Sequence, residues 1–94
     1  MLIDWKDAAK ADAAVILSYI AQDNISAAYD VYEKIRQQVS ILAQFPKLGR
    51  KGRVSGSREL VITGTPYIVA YRIKGESVHI LRILHGAQNW PCKL

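Results

Sequence analysis

The sequence is short of most of the residues that hydrolytic, redox or metal chemistry needs. A single cysteine, Cys92, excludes an internal disulfide and a thiolate metal cluster, and fits a reducing compartment. Only two histidines are present, His79 and His85. Six positions apart on one extended run, they would stand roughly 20 Å from each other, too far to share a metal ion. Acids are scarce beyond residue 46, where Glu59 and Glu76 are the only ones, so paired-carboxylate catalysis has little to work with. No Gly-x-Ser-x-Gly elbow surrounds Ser55 or Ser57. The glycines of residues 47–57 do not follow the phosphate-cradling Gly-x-x-x-x-Gly-Lys-Ser/Thr spacing, with no strand before and no helix after, so no nucleotide site is expected there. Neither a metal nor another cofactor is expected. No run approaches the roughly 18 apolar residues that cross a bilayer. Asp4, Trp5 and Lys6 break the basic-then-apolar layout of a secretory leader, and the expected location is the cytoplasm.

What the chain does have is apolar content and unevenly placed charge. Half of its 94 residues are hydrophobic, enough for one domain with one modest core. Residues 1–46 carry four Lys/Arg against six Asp/Glu, while residues 47–94 carry nine against two. The second half therefore holds a balance of +7 within an overall +5. Lys47, Arg50, Lys51, Arg53 and Arg58 fall within twelve positions free of acid. Such a block either solvates as a loop or attracts an acidic peptide, an acidic protein face or a phosphate backbone.

Leu2 to Trp5 reads as a very short strand. Asp4 or Asp7 can cap a helix running to about Ala21, with Ala9, Ala13, Ile16, Leu17 and Ile20 on one face. Its alanines imply close packing against a neighbour. Ser26 is the expected cap of a second helix through about Gln44, apolar at Ala28, Val31, Tyr32, Ile35, Val39 and Leu42. The short link makes the two an antiparallel hairpin. Phe45-Pro46 ends it, because proline disfavours helix in the residue before it. The basic loop 47–57 follows. Three strands come last, at about 59–63, 67–73 and 77–84, with turns at Gly64-Thr65-Pro66 and at Lys74-Gly75 or Gly75-Glu76. The predicted class is α+β: an N-terminal helical hairpin on a small twisted antiparallel sheet, in the order β-α-α-β-β-β.

A two-residue turn in the last hairpin would put Tyr67, Val69, Tyr71 and Ile73 on one face with Val78, Ile80, Arg82 and Leu84. Ile68, Ala70 and Arg72 would share the other with His79, Leu81, Ile83 and His85. Both faces are apolar at the centre, and two helices cover only one. The second is expected to need a partner segment from another chain.

The remaining chemistry is cationic. Arg50, Arg53 and Arg58 in the loop, Arg72 and Arg82 on strands, and His85 at a strand end could hold a phosphodiester, with His85 or Glu59 moving protons. Each has a structural alternative. Arg82, if buried, is expected to pair with an acid such as Asp12. Arg58 beside Glu59 can serve simply to neutralise its surroundings, and Trp5 and Trp90 fit packing anchors better than base-stacking platforms. A plain nucleic-acid-binding role for the 47–58 loop is a further reading, with salt-dependent affinity as its signature.

Nearly the whole chain resembles the RelE/ParE superfamily, the toxin halves of type II toxin–antitoxin modules. The resemblance rests on Tyr19-Ile20-Ala21, Phe45-Pro46 with Gly49-Arg50, and Gly56-Ser57-Arg58-Glu59-Leu60-Val61. It continues through Pro66-Tyr67-Ile68-Val69-Ala70-Tyr71-Arg72 and Val78-His79-Ile80-Leu81-Arg82-Ile83-Leu84-His85-Gly86. RelE-like members cleave messenger RNA on the ribosome, and ParE-like members poison DNA gyrase. RelE-like toxins carry an arginine where this chain has Ile68, and basic and tyrosine groups where it has Ala87-Gln88-Asn89-Trp90-Pro91, so the likeness is nearer the ParE-like branch. It implies a cognate acidic antitoxin as partner, with Arg50, Arg53, Arg58, Ile68, Arg72, Leu81, Ile83 and Trp90 as the expected contact residues. If the chain is instead an mRNA endoribonuclease, the expected catalytic groups are Arg58, Glu59, Arg82 and His85.

Overall fold

Runs of β-branched and aromatic residues build the centre of the computed structural model, which describes all residues 1–94. In chain order the elements are β1 (Leu2–Trp5), α1 (Asp7–Asp23), α2 (Ile25–Ser40), a 3₁₀ turn (Ile41–Ala43), β2 (Arg50–Lys51), β3 (Arg58–Val61), β4 (Tyr67–Lys74) and β5 (Ser77–His85). The strands form one sheet in the order β1-β5-β4-β3-β2. β1 lies parallel to β5, from Leu2 opposite Ser77 to Trp5 opposite Ile80, while all other pairings are antiparallel. The sheet is therefore mixed rather than purely antiparallel. A four-residue lead-in carries no sequence sign of the direction in which it will pair.

The helices form as the apolar spacing requires, but their caps differ from expectation. Lys6 occupies the first cap position of α1 without a side-chain bond; Asp7 lies in the first turn, where its charge complements the helix dipole. Asp4 is taken up by Lys6 Nζ at 2.7 Å. Asn24, not Ser26, caps α2, its Oδ1 accepting the Ala27 N–H at 3.0 Å. Ala9, Ile35, Val39 and Leu42 from the helical layer meet Leu60, Ile62, Val69, Tyr71, Val78, Ile80 and Ile83 from the sheet in one core.

Ile80 and Ile83 both belong to that core, which a strand of period two cannot achieve. A β-bulge solves the conflict: Tyr71 faces Ile80, but its neighbour Ala70 faces Arg82, leaving Leu81 as the extra residue. The expected partition of side chains holds from Ile73–Val78 to Tyr71–Ile80 and reverses beyond. Ile83, expected on the open face with Ile68, instead packs under the helices with Val69. Leu84 moves to the open face opposite Ile68.

The open face is also not bare. Ile68, Ala70 and Leu84 lie outside the helix-covered core, yet each is buried. The C-terminal segment supplies cover at Ile68 and meets the basic loop beyond it. Gly86 donates its N–H to Pro66 O at 3.0 Å and packs against Ile68, and Trp90 lies against Arg53 of the loop. The chain thus buries Ile68, Ala70 and Leu84 by itself on the face that was expected to lie bare without a partner segment.

Candidate functional site

A buried carboxylate organises the basic loop. Glu59 of β3 lies opposite Ala70, on the sheet face away from the helices, yet its side chain is only 1 % exposed. Its Oε1 accepts from Arg50 Nε and Nη2 at 3.3 and 3.1 Å, and its Oε2 accepts the Arg53 backbone N–H at 2.7 Å. Arg53 Nε also lies 3.6 Å from Oε1. Burying a carboxylate is costly unless its oxygens are occupied, and here both are. Two of the five loop cations thus answer one acid while keeping roughly half of their side-chain surface in water. The Arg50–Glu59 pairing makes the two-residue strand β2, a segment expected to be loop throughout.

Of the other loop cations, Arg58 is held by backbone, while Lys47 and Lys51 are exposed. Arg58 Nη1 donates to Gly49 O at 2.9 Å and Lys47 O at 3.4 Å, so it does not answer Glu59. Ser57 is buried, its Oγ donating to Val54 O at 2.6 Å. The Arg53 guanidinium stacks 3.9 Å from the Trp90 ring centroid, a cation–π contact that ties loop to tail. Arg72 of β4 lies beneath the loop, its Nη1 close to Gly56.

Tyr71 fastens the loop from below, a role that sequence reasoning missed. Its hydroxyl donates to Pro46 O at 2.7 Å and accepts the Gly49 N–H at 2.9 Å. Burial pushes its phenol above the usual 10.0, opposed by the Gly49 N–H and the nearby Arg58 charge. Only glycine fits at 49: an added Cβ would stand 2.6 Å from the Tyr71 hydroxyl and 2.9 Å from Glu59 O. The sequence signal was present in Gly49 following Pro46-Lys47-Leu48, but nothing local identified its tyrosine partner.

Arg82 does pair with Asp12. Its Nε and Nη2 meet the Asp12 oxygens at 2.7 and 3.0 Å, and Asp12 Oδ2 also accepts the Ile83 N–H at 2.9 Å. The Asp12 hydrogen bonds hold the Arg82 guanidinium still more firmly protonated. His85 is exposed at the end of β5, edge-on to Tyr67 with ring centroids 5.8 Å apart. Its Nδ1 accepts the Ala87 N–H at 3.0 Å, and its backbone N–H donates to Gln88 Oε1 at 2.7 Å.

The four groups named for phosphodiester cleavage are therefore engaged in three separate places. Glu59 and Arg58 serve the loop, Arg82 serves α1, and His85 serves the C-terminal turn. Of the expected partner contacts, Arg50 and Arg53 present exposed guanidinium surface, while Arg58, Arg72, Leu81 and Trp90 are half-buried. Ile68 and Ile83 are buried within the chain itself and present no surface to a partner.

Comparison with known proteins places these features in a family. The profile of the ParE toxin of the type II toxin–antitoxin system, parDE, matches residues 3–90. The Y4kP protein of Sinorhizobium fredii is 43 % identical over 74 residues, covering 79 % of this chain and 76 % of its own. Toxin RelE2 of Caulobacter vibrioides is 34 % identical over 84 residues, covering 89 % and 93 %. Among solved structures, a chain of the chromosomal ParDE TA system from P. aeruginosa superposes with a TM-score of 0.82 at 31 % identity, over 90 % of this chain and 95 % of that one.

Proposed function

The chain belongs to the ParE toxin family of type II toxin–antitoxin systems, and on that premise we propose that it arrests growth by binding and poisoning DNA gyrase. A cognate acidic antitoxin neutralises it by direct contact. The toxin acts in the cytoplasm, where gyrase meets DNA.

One observation carries the choice of target. Most of the groups that an RNA-cleaving mechanism would need are engaged by structural partners: Glu59 by Arg50 and Arg53, Arg82 by Asp12, Arg58 Nη1 by the Gly49 carbonyl, and His85 Nδ1 by the Ala87 N–H. A general base must stand within hydrogen-bonding reach of the proton it takes, and groups split between three parts of the molecule do not converge on one phosphodiester. A toxin that traps an enzyme by binding needs no such convergence.

The antitoxin docks on the basic half. Arg50, Arg53 and Arg72 supply positive charge there, with Leu81 and Trp90 as partly exposed apolar contacts. An acidic segment with a few apolar anchors meets both requirements, ordering as it binds.

A ribosome-dependent mRNA endoribonuclease is the second reading, supported by the likeness to toxin RelE2 across most of both chains. Purified chain in a gyrase supercoiling reaction, beside primer extension on translated messages, separates the two. Inhibited supercoiling with intact messages is the expected result. Cleavage within codons with normal supercoiling would replace the gyrase reading.

A further inference from the structure

The outer edge of β3 has one open place. In an antiparallel sheet, alternate residues turn their N–H and C=O to opposite neighbours. Ile62 N–H donates to Tyr67 O at 3.0 Å, toward β4, so the backbone groups of Glu59, Val61 and Thr63 face the other way. Glu59 is met there by Arg50 of β2. Thr63 is met by a side chain in place of a strand: Gln38 Oε1 accepts its N–H at 2.8 Å, and Gln38 Nε2 donates to its carbonyl at 3.1 Å. Val61 lies between the two, with neither its N–H nor its C=O bonded within the chain.

Beside Val61 is a hollow of about 370 Å³, where α2 and the 3₁₀ turn, Leu48-Gly49 and the edge of β3 meet. Ile41 and Leu48 supply its apolar walls. Phe45 stands between them, its N–H donating to Ile41 O and its carbonyl accepting the Leu48 N–H. Ile41, Phe45, Leu48 and Val61 are 44 to 60 % exposed, an apolar cluster beside an unpaired stretch of strand edge. The edge calls for an extended backbone, and the hollow calls for an apolar side chain.

We propose that an extended, acid-bearing segment of another chain pairs with β3 at Val61, one apolar side chain entering the hollow between Ile41 and Leu48. The placement rests on the reading above that an acidic segment docks on the basic half, and gives that segment a conformation and a register. Charge selects the occupant. Arg50 lines the hollow with roughly half of its side chain in water, and exposed Lys47 and Lys51 flank it in the chain. Glu59 is the one carboxylate in the lining, and it is buried against Arg50 and Arg53. Beyond Thr63, Lys34 lies beside Gly64 and is closed on Asp30 at 2.8 Å. No acid faces the hollow unanswered, so a segment carrying Asp or Glu is attracted there and a basic one is repelled.

A second copy of this chain does not fit. Two β3 edges paired about Val61 would each drive β2 into the other's strand, because β2 occupies the same edge two residues away. Gln38 fills the edge at Thr63 on the other side. The opening is one residue long, which a passing segment can use and a whole strand cannot.

Amide NMR of the full chain tests it, titrated with the blocked pentapeptide Glu-Val-Leu-Val-Glu and with its counterpart Lys-Val-Leu-Val-Lys. The acidic peptide is expected to shift the Val61 N–H, slow its hydrogen exchange and move the methyl signals of Ile41 and Leu48. The basic peptide should bind at least about tenfold more weakly. Val61→Pro removes the outward N–H and leaves the ladder to β4 intact, as proline is tolerated on a sheet edge. Leu48→Asp, at an exposed position, sets a like charge against the acid and serves if the proline disturbs the fold. Each should weaken the acidic peptide at least about tenfold. A Val61 signal unmoved by the acidic peptide overturns the proposal, as do equal affinities for the two peptides, or for the native chain and both variants. Shifts at Arg72, Leu81 and Trp90 with Val61 silent would also overturn it, while keeping the acidic segment on the basic half. Neither gyrase nor messenger enters the measurement, so its outcome is separate from the choice of target.

Discussion

Asp12 and Arg82, seventy positions apart, meet in a two-pronged ion pair of 2.7 and 3.0 Å that joins α1 to the bulge of β5. The pair fixes where the strand changes phase, because Asp12 also takes the Ile83 N–H just past the extra residue. Asp12→Ala leaves a partly buried arginine and a backbone N–H without their acceptor. Hydrogen bonds to charged groups contribute about 1.5–3 kcal/mol each, and a loss of about 3 kcal/mol is expected in urea unfolding. An unchanged midpoint would mean that the bulge holds itself.

Glu59 is predicted to set the stability of the basic loop. Glu59→Gln keeps the shape but removes the charge that Arg50 and Arg53 answer, for a loss of about 1–3 kcal/mol. Amide hydrogen exchange should quicken at residues 50–57 before it quickens in β4. Uniform acceleration across the sheet would contradict a loop-specific role.

Gly49→Ala tests the close approach above Tyr71. The added methyl would stand 2.6 Å from the hydroxyl and 2.7 Å from the ring carbon Cε1, with the Glu59 carbonyl at 2.9 Å closing the other side. Overpacking of this kind costs about 1–3 kcal/mol. A thermal scan showing a neutral variant would place the loop farther from Tyr71 than described.

Tyr71 also makes a pH prediction. Burial raises its pKa above 10.0 in the folded chain, so the unfolded chain loses this proton first as pH rises. The stability it contributes is fully present below pH 10 and falls as pH climbs through the folded value. Tyr71→Phe should lessen that alkaline loss. It should also lower stability at neutral pH by about 1–3 kcal/mol, since Pro46 O and the Gly49 N–H lose their partner. A variant with an unaltered alkaline profile would assign the effect elsewhere.

The legible and illegible parts of the fold divide by range. Helical spacing from Ala9 to Ile20 and from Ala28 to Leu42 was plain, as were the strand runs around Gly64 and Gly75; Gly75 takes φ 61° in the last turn. Arg82 with Asp12 was legible too, since a partly buried arginine demands an acid and few were on offer. The bulge was not. Nothing in His79-Ile80-Leu81-Arg82-Ile83 says that the strand will admit an extra residue, and a period-two reading put Ile83 on the wrong face. The cover over Ile68, Ala70 and Leu84 was equally hidden, because Trp90 finds Arg53 only once both loop and tail are placed. The cap of α2 was missed by two residues: Asn24 and Ser26 are both good caps, and local sequence does not rank them.

The account turns on a toxin that works by binding rather than by cutting. Its most direct test is a gyrase supercoiling titration comparing the native chain with the His85→Ala variant, alongside primer extension on translated messages with both. Equal inhibition of supercoiling by the two proteins, with messages intact, is the predicted result. Undisturbed supercoiling, with codon-phased cuts by the native chain that vanish in His85→Ala, would contradict it.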